Sequence, residues 1–103
     1  MIRSRRSARA HFGRILAWTL EYDPRVEKDL KKLDRAIQQE ILDYMDGRIA
    51  TDENPRRFGK ALRHSKRGLW RYRVRDYRIV CEIQDAKLIV LVLSVGHRST
   101  VYE

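Results

Sequence analysis

A single cysteine, Cys81, is the whole of this chain's thiol chemistry. One thiol makes no disulfide framework, which is compatible with a reducing cytoplasm. Cys81 falls on the apolar side of an alternating stretch, so a buried, inert role is expected rather than a nucleophile or a metal ligand. Long hydrophobic runs are missing as well. The longest, Leu88 to Leu93, has six residues, against the roughly 20 that cross a bilayer as a helix, so a soluble, cytoplasmic chain is expected. A secretory signal would need about seven or more consecutive apolar residues near the start, and none stand there. Acids are absent from residues 1–16 and proline from residues 69–98.

What is present is positive charge. The formal net charge is +9, and it is unevenly spread. Residues 1–16, MIRSRRSARAHFGRIL, carry five arginines; they match no folded pattern and are expected to be a disordered basic tail or to lie upstream of the native start. Residues 17–55 hold six basic and ten acidic groups, and residues 56–103 hold twelve basic and four acidic. A basic second half points to phosphate-rich partners, although ribosome-associated and membrane-surface proteins would show similar totals. The length allows one domain with a modest core, residues 17–103.

Leu69 to Arg98 organises the rest. Its β-branched and aromatic residues alternate with period two, which predicts three consecutive strands. Trp70, Tyr72 and Val74 take one face of the first strand, and Arg71, Arg73 and Arg75 the other. A loop centred on Arg75-Asp76, of two or four residues, opposes Val74 to Tyr77, Tyr72 to Ile79 and Trp70 to Cys81, because a one-residue slip would invert every side chain. Neither central residue is glycine, which favours a four-residue loop around a type I turn. The same register sets Arg73 opposite Arg78, and like charges facing across a ladder are destabilising. Two readings fit: a solvated basic face, or a concave site for a polyanion. The third strand, Lys87 to Val95, is an unbroken apolar run, as expected of a strand covered on both faces.

Upstream, Ala17 to Tyr22 reads as a short strand. Asp23-Pro24 is a helix start, with Val26, Leu30 and Leu33 at helical spacing. Asp34 opens a second helix lined by Ile37, Ile41, Met45 and Ile49, whose last turns Gly47 weakens. The pair is expected to form a hairpin on the apolar sheet face, with Glu27, Asp29, Glu40, Asp43 and Asp46 on a solvated outer surface. Thr51 to Gly68 is a long connection whose cations, Lys60 among them, either face water or guide a phosphate backbone toward the sheet. His11 is read as a member of the basic tail and His64 as a surface residue.

The runs DPRVEKDLKKLD, GLWRYRVRDYRIVCEIQD and VLVLSVGHRSTVY together resemble the RelE branch of the RelE/ParE toxin superfamily, over Ala17 to Tyr102. The resemblance implies an α+β fold: an N-terminal strand, a two-helix hairpin, then three antiparallel strands in a curved sheet with the helices on one face. It implies the toxin of a type II toxin–antitoxin pair that enters the ribosomal A site and cuts mRNA without a metal or small-molecule cofactor. The implied partners are the ribosome, its mRNA, and a RelB-like, partly disordered antitoxin. ParE-type members instead poison DNA gyrase without chemistry, and a non-catalytic basic RNA-binding module is a further alternative.

Carried over by position, the implied catalytic groups are Arg73, Arg78, Arg98 and Tyr102, with Arg71 beside them; Arg71, Arg75, Lys60 and His97 are the expected RNA contacts. Arg73 and Arg78 would stabilise the reacting phosphate, and Arg71 would hold the adjacent backbone. Arg98 would sit near the leaving oxygen, and Tyr102 would stack on a base or accept a proton. The best-known RelE toxin has lysines where this chain has Arg71 and Arg73. Arginine stays protonated and is ill-suited as a general base, though it suits bidentate phosphate binding. His97 is the one nearby group that ordinarily titrates close to neutrality; its position does not make it the base.

Overall fold

Two short helices lie on one face of a sheet whose strands run β1-β2-β6-β5-β4-β3. This computed structural model describes residues 17–63 and 67–97, and residues 3–5 for their backbone. The strands are β1 (Arg3–Arg5), β2 (Thr19–Tyr22), β3 (Lys60–Ala61), β4 (Leu69–Val74), β5 (Tyr77–Gln84) and β6 (Ile89–His97). The helices are α1 (Pro24–Lys31) and α2 (Arg35–Tyr44). β6 is interior, parallel to β2 and antiparallel to β5. Its apolar run is explained by that position: Val90 and Val92 are buried on the helix side, and Leu91 and Leu93 are buried as well. Of the N-terminal extension, three residues are described, pairing antiparallel with β2.

α1 starts as its sequence dictates. The Asp23 carboxylate accepts the Arg25 N–H at 2.9 Å, and Pro24 occupies the first turn, where its missing donor costs nothing. Glu27 stands in the first turn and Lys28 and Lys31 in the last, each matched to the helix dipole. α2 is continued by a π-helical turn, Met45–Ile49. That wider turn brings Met45, Ile49 and Ala50 all into the core, and the Ala50 carbonyl accepts the N–H groups of Ala17 and Trp18. The helix pair is thereby tied to the start of β2. Cys81 is buried beneath the helices, and burial pushes its thiol far above the usual range, as expected of an inert core residue.

The β4–β5 register is the one the alternation demands: Trp70 opposite Cys81, Tyr72 opposite Ile79, Val74 opposite Tyr77. The loop, however, has two residues and not four. Arg75 takes a left-handed backbone with φ 55°. A two-residue hairpin needs positive φ to match the strand twist, and here a non-glycine residue supplies it. Its guanidinium Nε donates to both Glu40 oxygens, at 2.8 and 2.9 Å, which helps offset the backbone cost.

The connection after α2 is more ordered than its composition suggests. Asn54 caps a 3-10 turn, Pro55–Phe58, and the buried Tyr72 hydroxyl donates to the Pro55 carbonyl. Arg56 makes two hydrogen bonds to Asp85, at 2.9 and 2.7 Å, and lies over the Trp70 ring. Gly59 then passes so close to β4 that an added Cβ would sit 2.9 Å from Tyr72 Cε1 and 3.0 Å from the Arg71 carbonyl oxygen.

The two glycines therefore respond oppositely to alanine. Gly59→Ala should destabilise the fold by about 1–3 kcal/mol, because neither the buried ring nor the strand backbone can give way. Gly47→Ala, with nothing within 4 Å of its added Cβ, should stabilise by about 0.5–1 kcal/mol. Urea unfolding of both variants measures the two signs.

Candidate functional site

The register that buries Tyr72 and Ile79 decides what faces the other way. Across the sheet, away from the helices, Arg73 pairs with Arg78, and Arg78 with Gly96. One step along the strands, Lys60 pairs with Arg71, Arg71 with Val80, and Val80 with Ser94. Four cations from three adjacent strands thus occupy two neighbouring rows, with no acid in either. Arg73 and Lys60 are exposed, and Arg71 and Arg78 are half-buried. The Nε atoms of Arg71 and Arg78 are shielded from solvent, and Arg73 Nε donates to the Arg75 carbonyl at 3.2 Å. Like charges facing each other at short range concentrate positive potential, which favours an anion between them.

A cleft of about 670 Å³ adjoins these rows. Val80, Ser94 and Gly96, the residues directly beside the arginines, belong to its lining, with Leu62, Leu69 and Leu93 supplying apolar surface. Arg67 also lines it, and its guanidinium reaches Glu82 at 3.2 Å. On the far side α1 contributes Arg25, Asp29, Lys32 and Leu33, and Tyr77, Val95 and His97 complete the lining.

The expected site residues separate. Lys60, Arg71, Arg73 and Arg78 are brought together. Arg75 is not: it leaves the arginine face for Glu40 on α2. His97 lines the cleft, but from the other strand face. It pairs across the ladder with Tyr77, whose ring it meets edge-on at 5.7 Å, on the face that carries Val74 and Ile79. A β-bulge causes this. Cys81 pairs with Val92 but Val80 with Ser94, leaving Leu93 extra on β6, so Gly96 faces Arg78 and His97 turns to the helix side. Arg98 and Tyr102 lie outside the described residues, as do His11 and His64.

Two acids expected on a solvated surface hold the site instead. Glu40 pins the hairpin turn. Asp29 accepts the Val95 N–H at 2.9 Å. β2 ends at Tyr22, opposite Val92, so among the described residues β6 has no strand neighbour on that side beyond this point, and the α1 carboxylate takes the partner's place. Several cations of the 51–68 connection, read as facing either water or a phosphate backbone, are likewise paired: Arg56 with Asp85, Arg57 with Asp52 and Arg67 with Glu82. The Arg56 hydrogen bonds hold the Asp85 carboxyl below its usual range. Among the described residues, no three His, Cys, Asp or Glu side chains converge as a metal site. No helix among them is long and apolar enough to cross a membrane.

Comparison with known proteins places this geometry. The family described as the ParE toxin of the type II toxin–antitoxin system parDE matches residues 20–102. Toxin RelG of Mycobacterium tuberculosis is 29% identical over 87 residues, covering 84% of this chain and 98% of that toxin. Toxin RelE of the same organism is 33% identical over 75 residues, covering 73% of this chain and 75% of that toxin. Among solved structures, the toxin–antitoxin complex RelBE2 of M. tuberculosis aligns with TM-score 0.73 at 28% identity, covering 82% of this chain and 95% of that one. The intact RelBE complex of E. coli aligns at 0.64 and 28%, covering 79% and 96%.

Asp29 offers a direct check on how the strand end beside the site is held. Asp29→Ala should destabilise by about 1–3 kcal/mol, since the Val95 N–H loses its acceptor. Asp29→Asn keeps a carbonyl oxygen there and should recover most of the loss. Amide exchange at Val95 should rise sharply in the alanine variant alone.

Proposed function

The chain belongs to the ParE toxin family of type II toxin–antitoxin systems, within the RelE/ParE superfamily, and on that premise we propose that it is a ribosome-dependent endoribonuclease that cuts mRNA in the A site. The observation that carries this reading is Arg73 opposite Arg78, with Arg71 and Lys60 in the next row and no acid among them. RNA brings its own nucleophile, the 2′-hydroxyl. Its attack on the neighbouring phosphorus forms a 2′,3′-cyclic phosphate and breaks the bond to the 5′-oxygen. Charge gathers on the nonbridging oxygens as the new bond forms. Two guanidinium groups fixed on neighbouring strands are preorganised for that charge, and each such contact contributes about 3 kcal/mol to the transition state.

The proton transfers are assigned by elimination and by family position. Arg71 and Arg73 stay protonated and act as charge. His97 faces Tyr77 on the opposite side of β6 from Arg78 and is not the base in this reading. Tyr102 remains the proposed proton acceptor, and Arg98 the group beside the leaving oxygen. The partner proposed for the free toxin is a RelB-type antitoxin, because similar toxins are seen in complex with one. An acidic, partly disordered chain that folds on binding would neutralise this basic face.

A second reading has one observation of its own: the matching family is that of ParE toxins, whose implied action is on DNA gyrase. Brief induction followed by mapping of transcript 5′ ends separates the two. Cuts within codons that disappear when translation is blocked support the nuclease; DNA breaks with intact transcripts support the gyrase poison and defeat the nuclease. On programmed ribosomes, Arg73→Ala and Arg78→Ala should each slow cleavage by about 100-fold or more. His97→Ala should stay within a few-fold of wild type, and its loss of cleavage with folding intact would overturn the assignment above.

A further inference from the structure

We infer that Glu40 is a positioning residue for the cleavage step, aiming the Arg73 guanidinium through the turn residue Arg75; this rests on the nuclease reading above. Three links stand in series. Arg75 Nε donates to both Glu40 carboxylate oxygens, at 2.8 and 2.9 Å. The residue anchored in this way has a backbone φ of 55°. Its carbonyl then accepts a hydrogen bond from Arg73 Nε at 3.2 Å. A carboxylate on α2 is thereby connected to a cation on the opposite face of the sheet.

The kind of residue at the turn is what points to this. Arg75 and Asp76 close the hairpin between Val74 and Tyr77, and only the first of the two has positive φ. A two-residue turn of that form favours glycine at its first position, where a side chain is strained. Glycine would take the conformation freely, but it has no side chain with which to tie the turn to the helices. An exposed ion pair contributes little stability, so stability alone does not account for an arginine held under strain here. Strained residues cluster where the geometry they impose is used.

What is imposed is the direction of Arg73. That side chain is exposed, and an exposed arginine left unheld samples many rotamers. Held at Nε, it keeps both terminal nitrogens for a bidentate phosphate contact; among the described residues no other hydrogen bond engages its guanidinium. The group that holds it is also uncharged. A carboxylate bound directly to Arg73 would cancel the charge a phosphate needs, as carboxylates do for Arg56, Arg57 and Arg67. Setting the carboxylate one link further away, on Arg75, gives orientation without neutralisation. A cation aimed before the substrate arrives favours the transition state, where phosphate charge is concentrated, over the ground state.

The test separates the rate at saturating toxin from the half-saturating concentration, both measured on programmed ribosomes. Glu40→Ala should slow the saturated reaction by about five-fold, the scale of one hydrogen bond, and leave the half-saturating concentration unchanged. Arg75→Ala, which keeps the strain and loses the anchor, should be slowed likewise. Arg75→Gly should be several-fold faster than Arg75→Ala, because glycine makes the turn unaided, and adding Glu40→Ala to it should change nothing further. In the Arg73→Ala background Glu40→Ala should also have no effect, whereas a merely structural pair would slow every background alike. The inference is overturned, with the nuclease reading intact, if Glu40→Ala cleaves at the wild-type rate, raises only the half-saturating concentration, or slows Arg73→Ala as much as wild type. Arg75→Gly no faster than Arg75→Ala overturns it too. Wild type that leaves mRNA whole defeats the nuclease reading and the inference together.

Discussion

Burial of one sheet face beneath two helices is the constraint from which the rest follows. Tyr72, Ile79, Cys81, Val90 and Val92 must point at Val26, Ile41, Met45 and Ile49, since together they form the core. A strand has only two faces, so the same register leaves Arg71, Arg73 and Arg78 side by side on the other. No separate interaction has to gather the cations. The repulsion between Arg73 and Arg78 is overcome by hydrophobic burial several times larger than a cross-strand pair is worth. The arginine rows are in this way held in place by the core on the opposite face of the sheet.

The bulge at Leu93 is a second device, and it works on shape. β6 is apolar on both faces, so an extra residue can be absorbed without exposing a charge or burying one. Its effect appears three residues later, where the faces exchange and Gly96, not His97, meets Arg78. A glycine beside the arginine pair keeps the strand backbone low at that point, and the cleft opens over it. Bulges bend the strand that carries them and sharpen local twist, which is how a flat arrangement becomes concave.

Legibility of these features in the sequence tracks how polar each segment is. In β4 and β5, arginines alternate with aromatic and branched residues, so register, facing and the Arg73–Arg78 pair could all be read residue by residue. In β6 the run from Leu88 to Leu93 contains no polar residue to report which face each member takes, and the bulge was hidden in it. The face that His97 takes could not be read for that reason. The helix start at Asp23 was readable from capping chemistry, and α2 also starts after Asp34, although that side chain makes no capping hydrogen bond; the π-helical turn was not readable, because Met45 and Ile49 suit an α-helix equally well. The two-residue hairpin was missed because its cost is offset from outside, by Glu40 on a helix 35 residues away. Short strands such as β3 have too few residues to show a period at all.

Electrostatics completes the division between support and site. The cations at the margins have carboxylate partners: Arg25 with Asp23, Arg56 with Asp85, Arg57 with Asp52, Arg67 with Glu82, Arg75 with Glu40. Each such exposed pair contributes little stability on its own. Collectively they do something else, which is to cancel positive charge around the rim, while among the described residues no carboxylate pairs with Lys60 or Arg73 in the two rows. A field confined to one concave corner attracts a phosphate to a defined place, whereas the same net charge spread evenly would bind polyanions anywhere on the surface. Glu40 of α2 and the loop and strand acids Asp52, Glu82 and Asp85 thus shape the surroundings of the two rows by occupying arginines at their margins.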